Sequence, residues 1–124
     1  MTLHTTGDEL VEVEEERAYA NVVQKAHDNK LLRQVFVNRA YHCNFTDAEM
    51  IAALGALISR LDTGSWSEVD PKDLNEAALK LGPEFNFFPP AFIKYEPAPF
   101  LRPFELACSS YLRPLQAEFE QAFY

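Results

Sequence analysis

The chain has 124 residues, 48% hydrophobic and 24% charged, with a formal net charge of -8. This suits one domain with one core, and it excludes both a disordered chain and a disulfide scaffold, since Cys43 and Cys108 are the two cysteines. The acidic balance argues against general affinity for nucleic acid or anionic membrane, because neutralising phosphates requires a basic surface.

The opening residues, MTLHTTGDELVEVEE, carry neither the basic stretch nor the apolar run of a secretory signal, so a cytoplasmic location with reduced thiols is expected. Residues 1–7 read as a loose terminus, and residues 1–13 as a flexible acidic N-terminus ahead of one helical domain over 14–124. The stretch E-L-V-E-V-E from Glu9 to Glu14 partly alternates. It is either a short edge strand or the acidic first turn of a helix, and the preference of acids for helix N-termini favours a helix from about Glu14.

Ala18, Tyr19, Val22, Val23 and Ala26 then fall at helical spacing. Asp28-Asn29-Lys30 interrupts the pattern, and Leu31, Leu32, Val35, Phe36 and Ala40 form a second stripe. The shift of phase predicts two helices or one kinked helix. Thr46-Asp47-Ala48-Glu49 is a capping box, with Phe45 and Met50 placed as a hydrophobic staple. Ile51, Leu54, Leu57, Ile58 and Leu61 are predicted to be the buried face of that helix, and Asp62-Thr63-Gly64-Ser65 its end. Asp70-Pro71 suits an N-cap and first helical residue. Leu74, Ala77, Ala78 and Leu81 form an inward stripe, closed by Gly82 and Pro83.

From Phe85 onward the chain is rich in rings and prolines. Pro89, Pro90, Pro97, Pro99, Pro103 and Pro114 resist helix interiors. The consistent solution is short helices starting near Pro90, Pro99 or Pro103, and Pro114, the last placing Leu115, Phe119 and Phe123 on one face. The expected fold is all-α, an irregular bundle of about five to seven helices.

Trp66-Ser67-Glu68-Val69, then Leu79, then Phe87-Phe88-Pro89-Pro90-Ala91-Phe92-Ile93-Lys94-Tyr95-Glu96-Pro97 resemble a set of small bacterial proteins of unknown function. Those proteins carry a W-x-[DE]-[LV] element followed by a segment like F-L-[ST]-P-E-A-F-[RK]-Y-Y-L-P. Here Pro90 stands in place of an acid and Glu96 in place of an apolar residue. The resemblance implies a cytoplasmic bacterial protein with a helical fold, and it transfers no catalytic residue.

No motif for catalysis or cofactor binding stands out, and no cofactor or metal is expected. His27-Asp28 and His42-Cys43 are separate pairs without zinc-ligand spacing, and read as a helix-end histidine and a buried thiol. Adjacent residues on a helix point about 100° apart, so a helical His42 is badly placed to take the proton of Cys43. The rings of the C-terminal third either wrap the Met50–Leu61 helix as core or, for some of them, present a surface, with Phe100, Arg102, Arg113, Phe123 and Tyr124 as the partner-binding residues. The leading expectation is a non-enzymatic interaction module that binds another protein or itself as a homodimer. The alternative is a small-molecule or metal-binding domain, or an enzyme, with a pocket lined by Trp66, Phe88 and Tyr95 and with His42 or His27 as its polar group.

Overall fold

Two parallel strands joined by a helix open the chain. The computed structural model describes residues 1–67 and 69–100. Strand β1 (Thr2–Gly7) leads to helix α1 (Glu14–Lys25), a 3-10 turn (Asn29–Leu31) and strand β2 (Gln34–Ala40). Helices α2 (Asp47–Thr63) and α3 (Pro71–Lys80) follow, and then the short strand β3 (Phe92–Ile93). The strand order is β1-β2-β3, with β1 parallel and β3 antiparallel to β2.

The fold is therefore α/β, with three helices and a mixed sheet among the described residues, and not an all-α bundle of five to seven helices. The residues expected as a loose terminus are β1, whose three threonines suit a pleated strand. The second stripe of apolar residues is β2. Its Val35-Phe36-Val37 run is buried on both faces, and such a run satisfies a helical count equally well. The helix expected to start near Pro90 is β3, paired Val37 to Phe92 and Phe36 to Ile93. Pro90 lies just outside the strand, where its missing N–H costs no ladder bond. Asn75 of α3 brackets β3, donating to Phe92 O at 2.9 Å and accepting from Phe92 N at 2.9 Å. The proposed C-terminal helix over 114–123 and Cys108 lie outside the described residues.

The core lies between the sheet and the α2–α3 pair. Val35, Val37 and Phe92 meet Ala48, Ala52 and Ala56 of α2 and Leu74 and Ala78 of α3. The capping box forms as expected, with Thr46 Oγ1 accepting from Glu49 N at 3.2 Å and Thr46 N donating to Glu49 Oε2 at 2.8 Å. Gly64 closes α2 in the left-handed conformation, φ 75°. The rotation of α2 differs from expectation. Its alanines face the sheet, and Ile51, Leu54, Ile58 and Leu61 face outward. Small side chains let the helix backbone approach the sheet closely, which overrides the larger transfer energy of the aliphatic row. No described residue of α1 is buried. Polar ties hold it instead: Glu16 accepts from Thr2 Oγ1 at 2.6 Å, and Arg17 pairs with Glu96 at 2.7 Å. Among the described residues, no helix is long and apolar enough to cross a membrane.

Candidate active site

Parallel pairing puts the carboxyl ends of β1 and β2 side by side, the place where open α/β sheets carry their chemistry. Asp8 follows β1 directly, and Tyr41-His42-Cys43 follows β2 directly. Residues 34 positions apart in sequence are thereby joined: Asp8 Oδ2 lies 2.7 Å from His42 Nδ1. His42 Nε2 in turn lies 3.3 Å from Cys43 Sγ. A carboxylate, an imidazole and a thiol thus stand in line, each within hydrogen-bond reach of the next.

Asp8 is fixed from both sides. Its Oδ1 accepts the amides of Leu10 at 2.9 Å and Val11 at 3.0 Å. Its side chain is only 3% exposed, whereas that of His42 is 41% exposed. Desolvation pushes the Asp8 carboxyl up, but the two amides and the His42 ring outweigh it and hold it down at about 2. Asp8 is therefore a carboxylate at neutral pH. In the tautomer of the neutral imidazole that carries its proton on Nδ1, that N–H donates to Asp8 Oδ2 and the Nε2 lone pair faces the thiol.

The turn that carries the thiol has two non-glycine residues in left-handed backbone, Tyr41 at φ 74° and Cys43 at φ 51°. Each such residue costs roughly 1–2 kcal/mol and persists only where its surroundings fix it. Here they do. Tyr41 N donates to Gly7 O at 3.0 Å, and Tyr41 O accepts from the buried Thr5 Oγ1 at 2.8 Å. Asn44 Nδ2 donates to Ala40 O at 3.0 Å, Phe45 N to Cys43 O at 2.9 Å, and Arg39 Nη1 to Asn44 O at 2.9 Å. Arg39 is itself locked by Glu49 through bonds of 2.6 and 3.0 Å, and its guanidinium lies 5.4 Å from the Phe88 ring centroid.

Because His42 and Cys43 sit in a turn, the objection drawn from helical geometry does not apply, and neighbouring side chains meet. Asp8 carried no signal in its local sequence. The clue was positional: an acid just after one strand and a His-Cys pair just after another, legible only once the strands are known to be parallel.

The structure does not gather Trp66, Phe88, Tyr95 and His42 into one pocket. Trp66 donates its indole N–H to Lys30 O at 3.0 Å and lies between Arg33 and Arg60. Tyr95 lines a shallow hollow that also includes Arg33, and its ring packs on Phe36 at 5.4 Å. Trp66 therefore adjoins the start of β2 and Tyr95 packs beside Phe36 within it, while Phe88 lies against Arg39 near its end and His42 follows the strand. His27 ends α1 in left-handed backbone, φ 61°, away from Cys43. Phe100 is half-buried. Arg102, Arg113, Phe123 and Tyr124 lie outside the described residues. Among the described residues, no group of three or more His, Cys, Asp or Glu side chains is arranged to hold a metal ion.

Comparison with known proteins adds one relationship. The chain is 37% identical over 78 residues to an o-phthalyl amidase of Xanthobacter agilis. The match covers 63% of this chain and 17% of that amidase, so the chain spans about a sixth of its relative's length. No family model matches the chain, and no solved structure matches it.

Proposed function

We propose that this chain carries the thiol centre of an acyl-transfer enzyme that cleaves an amide bond. The Asp8–His42–Cys43 line is the observation that carries this reading. It supplies a nucleophile, a base in contact with it, and a carboxylate that orients the base. The similar protein of Xanthobacter agilis is an amidase by name, the same reaction class, and this supports the reading.

His42 Nε2 takes the Cys43 proton as Sγ attacks the carbonyl carbon of the substrate. The tetrahedral intermediate collapses when the imidazolium returns that proton to the leaving nitrogen, so the amine departs and a thioester remains on Cys43. Water, giving a proton to His42, then attacks the thioester. The acid leaves and the thiol is restored. Asp8 stabilises the imidazolium formed in each half.

Turnover of p-nitroacetanilide and of the more reactive p-nitrophenyl acetate tests this. Cys43→Ala is expected to abolish both, and His42→Ala to slow them by about 10²–10⁴-fold. Full turnover by Cys43→Ala would overturn the reading.

A second reading keeps the interaction role and rests on a different observation. Ile51, Leu54, Ile58 and Leu61 of α2 are all exposed, at the alternating three- and four-residue spacing of a helix–helix seam. A second copy of the chain, docked with its own α2 antiparallel, covers this row. Light scattering that finds only monomer at high concentration would count against it.

A further inference from the structure

We propose that the outward-facing backbone amides of His42, Cys43 and Asn44 form an anion-binding nest. On this view the nest holds the oxyanion that develops when Cys43 attacks a carbonyl. The inference rests on the thiol-centre reading above and adds to it the group that stabilises negative charge on oxygen.

Hydrogen-bond accounting around the turn carries it. His42 and Cys43 are exposed and Asn44 is half-buried, so a backbone amide here that lacks a protein acceptor is open to solvent and to a ligand. In this turn the carbonyls of Ala40, Tyr41, Cys43 and Asn44 all have protein donors. The amides of His42, Cys43 and Asn44 have no protein acceptor among the described residues. The N–H and C=O of a trans peptide point in opposite directions. With Tyr41 O held against the sheet by Thr5, the His42 N–H faces away from the sheet. With Cys43 O held by Phe45 N, the Asn44 N–H faces the other way from that bond. Left-handed residues at 41 and 43 on either side of His42 give the alternation of backbone hand that makes successive amides converge. The result is a short arc of donors on the residue that bears the thiol and its two neighbours. It is complementary to the oxygen of a tetrahedral carbon bonded to Sγ, and the ligand class is an acyl oxyanion.

This arrangement also gives a reason for the left-handed backbone at Tyr41 and Cys43. Right-handed backbone at these two positions would remove the alternation of hand on which the nest depends.

Two reactions of the same thiol separate the nest from the base. Acetylation by p-nitrophenyl acetate passes through an oxyanion: the Sγ–C bond forms, p-nitrophenolate leaves, and the thiol proton goes to His42. Alkylation by iodoacetamide displaces iodide at a saturated carbon with no oxyanion, and needs the thiolate alone. The full chain is prepared with the amide bond before residue 44 replaced by an ester, which removes the Asn44 N–H and keeps its side chain. Acetylation of Cys43 is expected to slow by about 10²-fold while alkylation changes less than about twofold. Asn44→Pro, compared with Asn44→Ala, makes the same test genetically, since only the former lacks the N–H. Equal slowing of both reactions, or no slowing of acetylation, overturns the nest. If Cys43 of the unaltered chain reacts with both reagents no faster than free cysteine, the thiol-centre reading fails and the nest falls with it.

Discussion

Glu49 joins the core of this fold to its candidate site, so its removal is expected to be costly in a way that can be divided. Its side chain is fully buried. It accepts from Arg39 Nη1 at 2.6 Å and Nη2 at 3.0 Å, from Thr46 N at 2.8 Å, and from Ala91 N at 2.9 Å. The same carboxylate therefore caps α2, pairs a nearly buried arginine and anchors the segment leading into β3. Breaking a buried pair by removing one partner costs about 3–5 kcal/mol. Loss of a cap typically adds about 1 kcal/mol. Arg39 keeps Asn44 O and Pro89 O as acceptors and the Phe88 ring beneath it, which places the ion-pair contribution at the low end of that range. Glu49→Ala is thus expected to cost about 4 kcal/mol, and Glu49→Gln about 2–3 kcal/mol because glutamine retains the capping-box geometry. Natural domains have about 5–15 kcal/mol in total, so the alanine variant should be marginally folded. Urea unfolding followed by circular dichroism measures both. Losses below about 1 kcal/mol for both variants would refute the assignment of Glu49 as the hub.

Asp8→Asn is expected to lower Cys43 acylation by about 10²-fold or more, since an amide no longer stabilises the imidazolium, and stopped-flow release of p-nitrophenolate reads this directly. The same residue gives a pH signature. Its carboxyl lies at about 2 in the fold against an ordinary 3.8, so the unfolded chain binds the proton more readily. Its stabilising contribution is therefore complete above about pH 4 and lost as pH falls through about 2. The stability difference between the native chain and Asp8→Asn should shrink over that window, and a difference that does not change with pH would contradict the assignment. Leu74→Ala empties the centre of the core, where Leu74 packs among the β2 valines and α2 alanines; a loss of about 3–4 kcal/mol is expected by urea titration. Leu54→Glu sits on the exposed row of α2 and should change stability by no more than about 0.5 kcal/mol while preventing any dimer seen by light scattering.

Signals that act within a few residues were legible in the sequence. Thr46 with Glu49, Asp70 with Pro71, and Gly64 each mark a helix end through short-range chemistry, and the structure has those ends. What was not legible depends on partners far along the chain. Val35-Phe36-Val37 becomes a strand because β1, more than thirty residues earlier, and β3, more than fifty later, pair with it on either side. The facing of α2 was misread because hydrophobicity was taken to set the buried side. Alanine is inside because the sheet lies close, and the aliphatic row is left outward. The left-handed turns at Tyr41 and Cys43 carry no glycine or asparagine to announce them, so the meeting of His42 with Cys43 was hidden by an assumed helix. Asp8 joined them only through strand order.

The most direct test is the stoichiometry of the first turnover. On mixing with excess p-nitrophenyl acetate, the account predicts a burst approaching one p-nitrophenolate per chain. It predicts one acetyl group, mapped by mass spectrometry to Cys43, and neither product in Cys43→Ala. A native chain that gives no burst, or that carries its acetyl group on lysines or the other cysteine with Cys43 untouched, would contradict it.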